Sequence, residues 1–359
     1  MFGIAGEWRD QKLVRLDPRS LRPLPGPKLE IFNGVSAWAF SPNRSRLALG
    51  TACQAGISLG TLEVVDVRRM RPVACFAIGV LRAIAWPTPH RLLAVTHSPL
   101  QLVLIDARAR RIIDRTPLEG VWLSSARAGD RLLVLTGRSF AEPERLVVAD
   151  RRGSVRTVDV QAPHASDFVV DPDGRRAYLV SGDTVAEVDL DNFAVAYHEL
   201  RERTSLLGRV LAWLVPAAQA KEVHREMRRT LWVGDGLIAS FGSDVTTDGR
   251  RFTSVPVGLR LIDTRTWTVR MVDEQVSFAL LAGDVLLSAG AKEIGLVAYD
   301  LNGTKRFQLF RGRSLAPVES YQGKAWIEVG RPGPQVVDVR TGRVIGPRRA
   351  PLPTLLIER

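Results

Sequence analysis

Lysine is scarce in this chain, and cysteine is scarcer. Six of the 50 basic residues are lysines (12, 28, 221, 292, 305 and 324), so arginine supplies the other 44. The arginines are spread among expected strands and turns, and the densest groups are short: Arg108-Arg110-Arg111, Arg225-Arg228-Arg229 and Arg348-Arg349. No basic stripe is interleaved with aromatics, so the net charge of +12 does not specify nucleic-acid binding. It reads first as a solvated surface, and otherwise as preference for an acidic partner or anionic surface. No apolar run approaches the roughly 20 residues of a membrane span. The longest, 206–218, is interrupted by Gly208, Arg209 and Pro216. The first twelve residues lack a charged segment followed by an apolar one, so no signal peptide is visible. The chain as given reads as cytoplasmic, or as exported if a leader preceded it.

What the sequence does contain is repetition. An Asp closes a β-run, and a turn and another strand follow, at Asp17, Asp66, Asp106, Asp150, Asp189, Asp263, Asp300 and Asp338. The intervals are 49, 40, 44, 39, 74, 37 and 38 residues. The interval of 74 is one repeat plus an insert, and the two terminal segments outside this series together make one more repeat length, 38. A short carboxylate accepts from amides two or three residues ahead, which is why Asp suits this turn. Gly follows in Asp150–Gly153, Asp300–Gly303 and Asp338–Gly342, where a left-handed residue is wanted. Eight aspartates at one turn position are therefore structural and not catalytic. Apolar second strands recur at Leu47, Leu92, Leu132, Ala177, Leu237 and Val285. Four short strands per unit of about 40 residues indicate propeller blades.

Ser41-Pro42-Asn43-Arg44-Ser45-Arg46-Leu47-Ala48 and Asp171-Pro172-Asp173-Gly174-Arg175-Arg176-Ala177-Tyr178 resemble the turn of WD40-like and YVTN-type β-propeller repeats. The Trp-Asp pair of WD40 repeats and a literal Tyr-Val-Thr-Asn are absent. The resemblance implies an all-β propeller, in a group consisting mostly of recognition platforms with some enzymes. One domain over 1–359 is expected, with blades at 35–79, 80–119, 120–162, 163–200, 229–273, 274–311 and 312–347. The eighth would take its inner strand from Leu352–Glu358 and the others from Phe2–Trp8, Lys12–Leu16 and Ser20–Leu24. The alternative is a seven-bladed ring with the terminal segments as added edge strands. Under the eight-bladed reading, Cys53 follows a second strand and Cys75 lies on a fourth. Their separation of about 9–10 Å favours two free thiols, although Cys53 is close enough to a loop to leave a bridge open.

Residues 201–228 interrupt the pattern. Thr204 or Ser205 can cap a helix, and Leu207, Val210, Leu211 and Leu214 fall on one helical stripe. Pro216 ends or kinks it, and 217–228 could form a second helix. Leu207, Leu211, Trp213 and Leu214 are thus the candidate partner-binding residues, with oligomerisation through this insert as one outcome. Joining one blade to the next, the insert falls on the same face as the long loops Thr51–Thr61, Gly137–Arg145 and Gly242–Gly258. Loops on a rigid scaffold are where binding tends to sit.

Catalytic signals are few. His97, His164 and His224 project toward that face, where Asp244, Asp248 or Glu142 could join them. His97, His164 and Asp244 are the candidate catalytic residues, and His97, His164 and Asp248 the candidate metal ligands. No spacing resembles H-x-x-E-H, C-x-x-C or G-x-S-x-G. The expectation is a non-catalytic recognition or scaffold propeller without a cofactor. It would bind a protein or small molecule on the elaborated face. The alternative is a propeller hydrolase or lyase, metal-dependent in one version, with its site near the central channel.

Overall fold

In the computed structural model of this chain, seven of the eight repeated aspartates perform the turn chemistry expected of them, while Asp17 accepts from the Ser20 hydroxyl at 2.9 Å. Asp66 Oδ1 accepts from the Arg69 amide at 2.8 Å, and Asp106 Oδ1 from the Ala109 amide at 2.8 Å. Asp150, Asp189, Asp263, Asp300 and Asp338 do the same with amides two to four residues ahead. These N–H donors hold the carboxyl of Asp106, and likewise that of Asp338, below the usual range. The residues described are 1–359 without 6–10, 18–19, 21, 53–59, 140–141, 163–164, 203–222, 248–251, 291, 314, 331–334, 348–354 and 358–359.

Two compact units divide the chain. The first comprises Met1–Ser139, Glu144–Asp159 and Arg348–Arg359, and the second Phe140–Pro143 and Val160–Pro347. In the first, blade 8 pairs Leu355–Ile357 with Phe2–Ala5, then Gln11–Arg15, then residues 29–31. Its fourth strand is therefore not Ser20–Leu24, which contributes only the isolated bridge Leu16–Pro23. The strand Leu29–Phe40 runs on to become the inner strand of blade 1, so the two blades form a single seven-stranded sheet. Arg46–Ala52, Thr61–Asp66 and Arg71–Ala77 complete blade 1. Blade 2 runs from Leu81–Ala85 to Arg111–Pro117, and blade 3 from Val121–Ala128 to Val155–Asp159.

The second unit holds blade 4 (Phe168–Val170 to Val195–Glu199), blade 5, blade 6 (Val276–Ala282 to Lys305–Leu309) and blade 7 (Leu315–Tyr321 to Val344–Pro347). Blade 5 is the irregular one. Its inner strand Val223–Gly234 and second strand Leu237–Thr247 are long. The latter pairs with Leu259–Asp263 at one end and with Phe252–Pro256 at the other. Arg201–Glu202 adds a parallel strand to its outer edge, Thr268–Asp273. Residues 223–228 are thus extended strand and not the expected second helix, because Ser243–Thr246 offers them a ladder to pair with. The stripe Leu207, Leu211, Trp213 and Leu214 lies outside the described residues.

Apolar seams within each unit fill the spaces between neighbouring blades. Leu62, Val64, Ile84 and Trp86 pack between blades 1 and 2, and Ala239, Phe241, Leu286 and Val297 between blades 5 and 6. Second strands face a seam on both sides. This explains why Leu92–Val95 and Leu132–Leu135 read as unbroken apolar runs. Polar groups join some seams. The Tyr299 hydroxyl of blade 6 donates a short hydrogen bond to Asp273 Oδ2 of blade 5. Burial, reinforced by that carboxylate, raises the phenol's pKa. Tyr299→Phe is expected to lower stability by about 1–3 kcal/mol, since Asp273 loses its donor; denaturant unfolding at neutral pH checks it.

The thiol expectation is corrected. Cys75 is disulfide-bonded, and the chain holds one other cysteine, Cys53. Cys53 itself lies outside the described residues. Among the described residues, no helix is long and apolar enough to cross a membrane.

Candidate functional site

The inner strand of a blade buries one side against its own sheet and neighbours and leaves alternate residues on the other side. In blades 1, 2 and 3 those positions carry Ser36 and Trp38, Arg82, and Ser125 and Arg127. They border a cavity of about 390 Å³. A second cavity of about 430 Å³ continues it toward the tight turns, bordered by Trp38, Phe40, Trp86, Arg127 and Asp130. All belong to the first unit.

Three features make this wall more than a gap in packing. The Arg82 guanidinium lies over the Trp122 ring, its carbon 5.0 Å from the ring centroid. Arg82 Nε and Trp122 Nε1 are both buried and have no hydrogen-bond partner in the protein. A buried donor without an acceptor costs about 1–3 kcal/mol, so such pairs are expected where a ligand or water completes them. Trp38 adds an aromatic surface, fixed edge-on by Phe40 at 6.2 Å. Two guanidinium groups beside the Trp38 ring can receive an anion attached to a flat apolar body; Trp122 itself packs in the seam between blades 2 and 3.

Of the residues expected to assemble a catalytic or metal site, His97 and Asp244 are among those described. His97 ends the second strand of blade 2 in the first unit, with its Nδ1 buried and unpartnered. Asp244 belongs to the second unit, where Arg228 Nη2 approaches its Oδ2 at 3.4 Å. The two stand on adjoining strands, where Arg228 faces Gly242 and Asp244 faces Glu226 in the register, and Asp244 Oδ1 is buried without a hydrogen-bond partner among the described residues. His164 and Asp248 lie outside the described residues, as do the side chains of Glu142 and His224. Among the described residues, no three His, Cys, Asp or Glu side chains come together as a metal-holding group. The inner-strand wall was not singled out from the sequence. Its only signal there is large or charged residues alternating within expected first strands.

Two of the stretches expected to be long loops are partly strand. Gly137–Ser139 extends the second strand of blade 3. The Gly242–Gly258 stretch contains a three-stranded extension in which Ser243–Thr247 lies between Val223–Met227 and Phe252–Pro256. Val255, 46% exposed, stands on its edge strand.

No family model and no curated protein matches the chain. Solved structures do. The structure described as dihydro-heme d1 dehydrogenase NirN in complex with DHE is similar over 98% of this chain and 73% of its own, at 16% identity and a TM-score of 0.65. The computationally designed Ika8 protein matches 89% of this chain and 88% of its own, at 11% identity and TM-score 0.55. BamB from Moraxella catarrhalis matches 87% of each chain, at 13% identity and TM-score 0.52. Likeness at such identity carries the fold. The chain is an all-β propeller of eight four-stranded antiparallel blades.

Proposed function

We propose that this protein is a non-catalytic recognition propeller that takes a flat organic anion on the inner-strand wall of blades 1–3. The observation that carries the reading is Arg82 on that wall, whose buried Nε lacks an acceptor in the protein while its guanidinium is held over the Trp122 ring of the blade 2–3 seam. Arg127 supplies a second cation on the same wall, and Trp38 an apolar face. The arginine-rich composition suits the same ligand sign. A wall that stacks and pairs with charge but presents no nucleophile–base pair binds without turning over. Isothermal titration with pyrene-1-carboxylate tests it. Arg82→Gln/Arg127→Gln is expected to weaken binding about tenfold or more, through loss of charge-assisted hydrogen bonds. Wild-type affinity in that variant would sink the proposal.

A second reading places a protein partner on the elaborated face, as the sequence led us to expect. The exposed Val255 on the edge strand Phe252–Pro256 favours it. A photo-crosslinking residue at position 255 should then give one discrete adduct in the native host extract. A smear, or no adduct, counts against this reading. For the propeller-enzyme alternative, no metal-holding group forms among the described residues, and His164 and Asp248 lie outside them.

A further inference from the structure

A larger pocket, about 680 Å³, opens where blade 8 meets blade 1, at the turns after Phe40 and Asp66. Its volume lies in the range of small-molecule sites. The floor is apolar: Phe2, Leu16 and Val67 are buried there. Leu24 remains 42% exposed on the rim, one of the few large aliphatic side chains left open to solvent. Four guanidinium groups and one carboxylate border the same space.

Two of those four are committed to main-chain oxygens. Arg15 Nη2 donates to the Val67 and Arg68 carbonyls at 3.1 and 2.8 Å, and Arg46 Nη1 to the Ala107 carbonyl at 3.4 Å. The carboxylate is committed as well. Asp66 takes the Arg69 amide at 2.8 Å and the Arg69 guanidinium at 3.4 Å. Arg44 and Arg68 remain. Both are exposed at the pocket mouth, and neither guanidinium has an ion pair or hydrogen bond among the described residues. Arg44 is also held at φ 55°, a left-handed conformation unusual for a residue with a side chain.

We infer that this pocket binds an amphipathic anion, its carboxylate or phosphate head between Arg44 and Arg68 and its apolar tail over Leu16, Val67 and Leu24. Cations alone would suit any anion, and an apolar floor alone any hydrophobe. Their adjacency selects a molecule carrying both. A free ligand and an anionic lipid surface share this head-group chemistry, and the experiment separates them.

Titration calorimetry of the full chain with decanoate, decyl phosphate, decanol and acetate provides the test, alongside flotation with phosphatidylglycerol vesicles. Decanoate or decyl phosphate is expected to bind, with decanol and acetate weaker by about tenfold or more, one charge-assisted contact being worth about that much. Arg44→Gly/Arg68→Gln and, separately, Leu24→Asp should each weaken decanoate binding by a similar factor. All three residues are exposed, and unchanged circular dichroism would show that the variants fold. Three results would each overturn the inference: equal binding of decanol, full affinity in the double variant, or binding only to vesicles. Arg44 also borders the second cavity of the inner-strand wall, so the wall's own pair supplies the separation: Arg82→Gln/Arg127→Gln should leave decanoate binding intact, and Leu24→Asp should leave pyrene-1-carboxylate binding intact.

Discussion

Gly60→Ala is expected to destabilise the protein by about 3–5 kcal/mol, the range of severe steric substitutions. Gly60 immediately precedes the third strand of blade 1, Thr61–Asp66, at φ +89°, and its carbonyl accepts from the Gly79 amide at 3.0 Å. A Cβ there would lie 2.1 Å from the Gly79 carbonyl carbon and 2.2 Å from the Val80 nitrogen. Those atoms belong to the link between blades 1 and 2, which enters the inner strand Leu81–Ala85. Main chain cannot rotate aside as a flexible side chain can, so the link must shift and the seam around Leu81 with it. Gly129→Ala is the control. Gly129 has φ +60° with nothing within 4 Å of its Cβ position, so only backbone strain of about 1 kcal/mol applies. Chemical denaturation of both variants should show the difference. Equal losses would mean that the approach of Gly79 is not tight.

Glu63→Gln is expected to stabilise the protein above pH 7 and to have no effect near pH 4. Glu63 sits in the third strand of blade 1, paired with Leu49 and Cys75, and is 5% exposed. Burial pushes its carboxyl from 4.5 up to about 7. The folded state therefore holds this proton more tightly than the unfolded chain does. Below pH 4.5 both states are protonated and the group costs nothing. Stability then falls as pH rises from 4.5 to 7, and the full penalty applies above 7. A shift of that size corresponds to about 3 kcal/mol. Glutamine has the shape of the protonated acid and cannot ionise, so it removes the penalty. For a chain of this length the gain at pH 8 is about 4 °C in the unfolding midpoint. A midpoint difference that stays the same from pH 4 to pH 8 would contradict the assignment.

The parts of the fold legible in the sequence were those set by local chemistry. Asp106 and Asp338 close turns by bonding amides two or three residues away, so each repeat carries its own marker. The apolar second strands were legible because both of their faces are buried. What could not be read was set by distant pairing. Val223–Arg228 carries no strand alternation and becomes a strand because Ser243–Thr246 lies beside it. Leu29–Phe40 was hidden for a related reason: it serves two blades, and a search for one repeat at a time divides it. Arg82 and Trp122 stand 40 positions apart in the sequence, and only the stacking of blades 2 and 3 brings guanidinium to indole. The charge of the pocket between Arg44 and Arg68 was visible in composition. Which arginines were already committed was not, because Arg15 is spent on carbonyls 52 and 53 residues away.

The pairing of Phe2–Ala5 with Leu355–Ile357 also sets a timetable. A ribosome delivers Phe2–Ala5 well before Leu355–Ile357, since Leu355 lies 353 positions after Phe2. At about 5–20 residues per second, the wait is roughly 20–70 s. During that time Phe2–Ala5 can pair with Gln11–Arg15 on one side, while its other edge stays open. An open edge is a template for the wrong neighbour, including another nascent chain on the same message. Blades 2 to 7 draw their strands from continuous stretches and can form as they emerge. Blade 8 cannot, and its earliest strands are the part of the nascent protein most in need of a chaperone.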